Sequence, residues 1–206
     1  MRLNAFELWI HWAAGVAAAV FFGASLWGLW HSLRRPRGRS VGYGDRVLRL
    51  PFYFVIGIGF LTVTILLWRP LPLVLPAPIR VITLLIGVLL YFPGLALWFW
   101  GRYTLGEMFN VSSGFGAQLY ADQRLITSGP YAIVRHPMYL GVVMAAWGAL
   151  LIYQTWATVY IAIAFLGLFL RARREEQALA AEFGADWEVY CRRVPAWIPR
   201  FLTSLK

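Results

Sequence analysis

The chain has one cysteine, Cys191, in 206 residues. It cannot form an internal disulfide framework, and nothing in its cysteine usage points to an oxidising compartment. Lysine is almost absent as well: of 19 basic residues only Lys206 is Lys. Acids number 9, which leaves a formal net charge of +10. There is no Ser-His-Asp set, no metal-ligand cluster, no glycine-rich phosphate loop, no internal repeat and no low-complexity linker. Triad hydrolases, zinc modules, nucleotide-phosphate loops and solenoids are therefore poor fits.

What fills the chain is apolar. Hydrophobic residues make up 60% and charged residues 14%, with a mean hydropathy of +0.63. A soluble domain of this size cannot hide so much apolar surface. The sequence reads as one integral membrane domain, residues 1–206, all-α. A span needs about 20 residues to cross about 30 Å of hydrocarbon. Five apolar runs are candidate spans, Phe6–Trp30, Phe52–Trp68, Val81–Trp100, Met138–Tyr153 and Trp156–Leu170, of which the last two are short alone. Arg2 and the small stretch Ala17–Ala19 give the first run some look of a signal peptide, but its length to Trp30 favours a retained span. The last two runs, joined at Gln154-Thr155, form a hairpin over 137–171, with Tyr153 and Trp156 as interface anchors.

Basic residues cluster between the runs, which suits anionic lipid heads and membrane orientation better than nucleic acid. Arg34, Arg35, Arg37, Arg39, Arg46 and Arg49 crowd the first loop against Asp45. Arg102, Arg124 and Arg135 lie in the third loop, and Arg171, Arg173, Arg174, Arg192, Arg193 and Arg200 in the tail. The positive-inside rule then puts these segments in the cytosol, and the N-terminus and the Gln154-Thr155 turn outside. The expected protein is multi-pass, in the inner membrane if prokaryotic, with three spans in 1–100 and a binding half in 101–206.

Arg135-His136-Pro137-Met138-Tyr139-Leu140-Gly141 opens the hairpin. Ionisable groups near hydrocarbon are costly. Pro suits the first helical position, and the free N–H groups of that turn favour an anion. Folding the hairpin about Gln154-Thr155 sets residues summing to 309 opposite one another. Glu175 and Glu176 then emerge beside Arg135 and His136. Such a cluster suits a zwitterionic amino-acid headgroup. Alternatively, the two acids pair with Arg171, Arg173 and Arg174 on a solvated turn. Beyond them Gly184 stops a helix, Asp186 is an N-cap for Trp187–Arg193, and Pro195 ends that segment. It is either an interfacial helix or a lid over the cluster.

Ile126-Thr-Ser-Gly-Pro-Tyr131, the Arg135–Gly141 motif, Glu175-Glu176, and Phe183-Gly184 with Trp187, Tyr190 and Arg193-Val-Pro195 together resemble the isoprenylcysteine carboxyl methyltransferase family, a relative of membrane phospholipid methyltransferases. Leu105-Gly106 with Phe109-Asn110 resembles that family's upstream segment. The resemblance covers about Leu105 to Pro199. It implies S-adenosylmethionine as cofactor, held by Tyr131, His136, Pro137, Tyr139, Gly141, Glu175 and Glu176. It also implies methyl transfer to a lipid or lipidated small-molecule acceptor at the cytosolic face. Gly141, Ala145 and Gly148 make a small-residue ridge that leaves room for an adenosine or for a neighbouring helix.

An activated sulfonium methyl asks mainly for alignment and exclusion of water. A carboxylate or thiolate acceptor needs only a cation, for which Arg193, Arg135 and Arg102 are candidates. An amine needs a base, for which a Glu such as Glu176 is the candidate. Trp98, Phe99, Trp100, Tyr103 and Phe109 form an aromatic wall that either lines an acceptor pocket or anchors the third span. Trp100, Phe109 and Arg102 are the substrate candidates. His11 reads as a packing residue. Two further activities stay open: phospholipid N-methylation, and NADPH-dependent sterol or enone reduction, whose enzymes share the Arg-His-Pro-x-Tyr-x-Gly pattern. A non-catalytic scaffold or transporter finds little support, since Glu7 and His11 are the only polar ionisable groups within the runs.

Overall fold

A computed structural model describes residues 5–34, 37–42, 50–109, 112–113, 116–120 and 122–199. Arg35, Asp45, Arg46, Arg49, Asn110, Arg200 and Lys206, all named above, lie outside the described residues. The helices in chain order are α1 (Ala5–Leu33), α2 (Leu50–Leu66), α3 (Ala77–Leu105), α4 (Pro137–Tyr153), α5 (Trp156–Phe165), α6 (Leu168–Phe183) and α7 (Ala185–Arg193). By length and composition Ala5–Ser32, Ala77–Met108 and Trp156–Phe183 suffice to cross a membrane, and Phe54–Leu66 and Pro137–Tyr153 are shorter apolar helices. These five stretches coincide with the five expected runs. The last one is apolar only as far as Leu170, and from Arg171 onward it is charged.

The fold is helical, as expected, with one addition. Strands β1 (Arg37–Gly42), β2 (Ser112–Ser113) and β3 (Gly116–Tyr120) form an antiparallel sheet in the order β1-β3-β2. It lies against α6, where Leu119 is buried with Ala178 beside Leu179. Short strands in two loops carry no periodicity that a hydropathy reading detects.

The hairpin turn follows local rules. Gln154 takes a left-handed φ of 50° and its N–H bonds Leu150 O, ending α4. Thr155 then caps α5 in a reciprocal box with Thr158. The loop after α2 seats on this turn: Leu71 N–H donates to Gln154 O at 2.8 Å, and Trp156 N–H to Arg69 O at 3.0 Å. The start of α1 lies at the same end. Tyr153 Oη donates to His11 O at 2.8 Å, His11 Nε2 lies 3.2 Å from Ile152 O, and Arg80 pairs with Glu7 at 2.7 Å. His11 is the packing residue expected. Farther along α1, Tyr91 Oη donates to Ala14 O at 2.7 Å, fastening α3 to it.

Helices α3 and α4 touch backbone to backbone. A Cβ on Gly141 would meet Gly94 O at 2.5 Å, and one on Gly94 would meet Gly141 O at 2.6 Å. A Cβ on Gly148 would meet Tyr91 N at 2.5 Å. The small-residue ridge is thus a helix-packing seam. Gly141, expected beside a cofactor, has the side on which a Cβ would stand filled by Gly94 and Trp98 of α3.

This seam generates a test. Gly141→Ala and Gly94→Ala should lower the thermal midpoint in detergent, at an overpacking cost of about 1–3 kcal/mol. Gly57→Ala meets nothing within 4 Å and should not destabilise. Equal effects at Gly141 and Gly57 would show that the seam is loose.

Candidate functional site

The site forms where α4 begins. Pro130 and Tyr131 are buried in a 3₁₀ turn, and Gly129 supplies the positive φ of 58° that brings the chain against Thr104 of α3. Pro137 then occupies the first turn of α4. The segment after α7 runs back across this corner. Arg135 N–H donates to Pro195 O at 2.9 Å and His136 N–H to Ala196 O at 3.2 Å. Of the two readings of the tail, the geometry supports the one that packs over the cluster.

One carboxylate oxygen organises the side chains. Glu176 Oε1 accepts from Arg135 Nε at 3.0 Å and lies 2.9 Å from Arg135 Nη2 and from His136 Nε2. Arg135 Nη1 reaches on to Val194 O at 2.9 Å and Cys191 O at 3.4 Å. His136 is buried and stacks with Tyr139 on one side and Trp197 on the other, at centroid distances of 5.7 and 5.1 Å. Partial burial alone would raise the Glu176 carboxyl. The His136 contact and the Arg135 charge outweigh it and hold the group below its usual range.

Glu175 is turned about 100° from Glu176 on the same helix. It accepts a short hydrogen bond from Tyr139 Oη, and Arg171, one turn back, lies over the Tyr139 ring at 5.2 Å. The two acids, alike in sequence, face different partners. Glu176 holds the corner together, and Glu175 faces a cleft.

That cleft has about 770 Å³ of empty space, its open mouth included. Its polar lining is Tyr131, His136, Tyr139, Arg171 and Glu175, and its apolar lining includes Leu105, Met108, Phe109, Leu119 and Leu179, with Trp187 and Tyr190 contributed by α7. Tyr190 Oη donates to Tyr131 O at 2.7 Å, securing α7 there. Burial raises the Tyr190 phenol and, although it is more exposed, the Cys191 thiol, so both stay protonated.

The cleft gathers Tyr131, Arg135, His136, Tyr139, Glu175 and Phe109 from among the expected residues. Others stand elsewhere. Pro137 is fully buried, with its ring close to Gly101. Arg193 is exposed at the end of α7 and does not line the cleft. Trp100 is 47% exposed and also outside the lining, in keeping with an anchoring role. Arg102 donates to Gly106 O at 2.9 Å and lies over the Phe109 ring at 4.6 Å. Asp186 falls within the first turn of α7, since Gly184 itself caps that helix. Met108, Leu119, Gln123 and Arg124 line the cleft without any motif to mark them. They come from the stretch whose short strands leave no periodic signal.

Comparison with known proteins bears on the same half. The phospholipid methyltransferase family matches residues 82–186. Methanethiol S-methyltransferase 2 of Bradyrhizobium diazoefficiens is 32% identical over 146 residues, covering 65% of this chain and 52% of that protein. Protein-S-isoprenylcysteine O-methyltransferase of Schizosaccharomyces pombe is 35% identical over 80 residues, 38% of this chain and 34% of that protein. A Delta(14)-sterol reductase of Mus musculus is 36% identical over 76 residues, 35% of this chain and 18% of that protein. The matches thus span about half of the first relative's length and less of the others.

The two acids should separate on substitution. Glu176→Gln removes the charge shared by Arg135 and His136 and should cost about 1–3 kcal/mol of stability, read as a drop in the thermal midpoint. Glu175→Gln keeps an acceptor for Tyr139 and should leave the midpoint near that of the unsubstituted chain. The reverse order would show that Glu175, not Glu176, holds the corner.

Proposed function

The chain belongs to the phospholipid methyltransferase family, and from that premise we propose that it is a membrane methyltransferase that uses S-adenosylmethionine and a hydrophobic acceptor. The observation that carries this reading is a cleft under α7 whose lining mixes Tyr131, Tyr139 and Glu175 with the apolar Leu105, Met108, Leu119 and Leu179. A nucleoside thioether with an amino-acid end has matching parts. Glu175 would take the ammonium, and Leu119, Leu179 and Met108 would pack the apolar surface.

When bound, the methyl donor supplies an already activated sulfonium methyl. The chain's own tasks are then to hold, align and keep water out. Trp187 and Tyr190 provide the cover, held by Arg135 through the Val194 carbonyl. His136, stacked between two rings and bonded to Glu176, keeps the polar lining rigid. An anionic acceptor, carboxylate or thiolate, needs no base and would be oriented by Arg171 or Arg124, the cations that line the cleft beside Arg135. An amine acceptor, as in phospholipid N-methylation, would hand its proton to a carboxylate in reach, and Glu175 is the one that faces the cleft. Phe109 and Leu105 sit at the end of α3, so a lipid tail would reach the cleft from between the helices.

The membrane reading extends this. Five apolar helices would act as spans, with the chain's start, the 69–80 loop and the Gln154-Thr155 turn outside. The arginine-rich first loop, the cleft and the tail would face the cytosol.

The second reading, NADPH-dependent reduction, draws on the sterol reductase match. Glu175 favours the methyl donor, because its carboxylate matches an ammonium that NADPH does not carry, while Arg124, Arg135 and Arg171 on the same lining would suit the phosphates of NADPH. Calorimetric titration of the purified protein separates the two. S-adenosylmethionine and S-adenosylhomocysteine should bind and NADPH should not. Binding of NADPH with no response to S-adenosylhomocysteine would overturn the methyltransferase reading.

A further inference from the structure

The exposed surface of the tail changes character along its length. On α7, Asp186, Glu188, Arg192 and Arg193 are exposed, a charged face suited to water. Past Pro195 this reverses. Trp197 packs between His136 and Phe169, at centroid distances of 5.1 and 4.5 Å. Ile198, the next residue, is 59% exposed. An exposed apolar residue standing singly needs no partner, but a contiguous apolar surface does.

The neighbours of Ile198 make such a surface and identify what covers it. Phe169 belongs to the stretch Trp156–Phe183, which is long and apolar enough to cross a membrane. Leu166, Phe169 and Leu170 are exposed on it, and they form its last apolar turn before Arg171, Arg173 and Arg174. At that level hydrocarbon gives way to headgroups, a boundary that aromatic rings and arginines both favour. The tail crosses the span there, because Trp197 is seated on Phe169. Its backbone is fixed at the same place: Arg135 N–H donates to Pro195 O and His136 N–H to Ala196 O. Ile198 thus extends the lipid-facing surface of the span with a residue from beyond α7.

We propose that residues 197–198 dock the tail on the bilayer, with Ile198 inserted at the hydrocarbon boundary and the charged face of α7 left in water. The partner is the lipid surface itself. This rests on the membrane reading above and on no particular cofactor or acceptor. The tail is then held by α4, by α6 and by lipid together, so the bilayer helps to keep α7 in place over the cleft.

The test attaches a bimane label to Ile198→Cys, Glu188→Cys and Leu89→Cys, each in the full chain with Cys191→Ser. The proteins are reconstituted in vesicles of phosphatidylcholine and phosphatidylglycerol. Glu188 is the aqueous reference on the same tail, and Leu89, exposed on α3, is the lipid reference. The label at position 198 should emit at shorter wavelength than that at 188 and resist aqueous iodide as that at 89 does. A lipid with a doxyl group on its acyl chain close to the headgroup should quench it. Iodide quenching at 198 equal to that at 188 would overturn the proposal. If iodide reaches position 89 equally, the membrane reading fails first, and the proposal with it. A second measurement needs no label. In the same vesicles Ile198→Asp should speed hydrogen exchange across Val194–Trp197, and Ile198→Leu should leave it slow. Equal exchange in these two and the unsubstituted chain would show that lipid does not hold the tail, and would overturn the docking role.

Discussion

A single carboxylate oxygen, Glu176 Oε1, joins three parts of the chain that are far apart in sequence. Arg135 and His136 meet it from the mouth of α4, and Arg135 extends from it to the carbonyls of Cys191 and Val194 after α7. Both side chains are largely buried, so neither can lose its partner without a desolvation cost. With Glu176 in place, the corner, the exit of the hairpin and the tail form one unit. The cleft exists because that unit holds α7 over it.

The position of the corner depends in turn on the glycine seam. Gly94 and Gly141 let the backbones of α3 and α4 come into contact, and Gly101 receives Met138 at the upper end. That close approach brings the end of α3 and the segment after it, with Leu105, Met108 and Phe109, into one cleft lining with Tyr131 and Tyr139. Packing within the membrane helices and recognition in the cleft are therefore one geometric problem, solved by small residues below and charged ones above.

Much of this was legible in the sequence. The apolar runs marked every long helix, because membrane helices must satisfy their backbone internally and are apolar over a whole span. The turn at Gln154-Thr155 was enough to bring Glu175 and Glu176 beside Arg135 and His136. The register was not legible. Simple pairing set Arg135 opposite Arg174, whereas the structure pairs it with Glu176. Rotation about a helix axis was not legible either. A run of aromatics does not say that Phe109 turns into the cleft and Trp100 away from it, nor does Gly141 say that its open face is filled by Gly94. Arg193 looked suited to an anionic acceptor by its motif, yet α7 points it to solvent. The roles of the two adjacent acids separated only once the 100° between them was set against real neighbours.

The segment from α7 onward packs over the cleft. Hydrogen–deuterium exchange of the full chain, with and without S-adenosylhomocysteine, observes this directly. Slower exchange on ligand addition is expected across Trp187–Trp197 and around Tyr131, with the Gln154-Thr155 turn unaffected. Ligand binding that leaves exchange in Trp187–Trp197 unchanged would contradict the claim that α7 and the following segment cover the site.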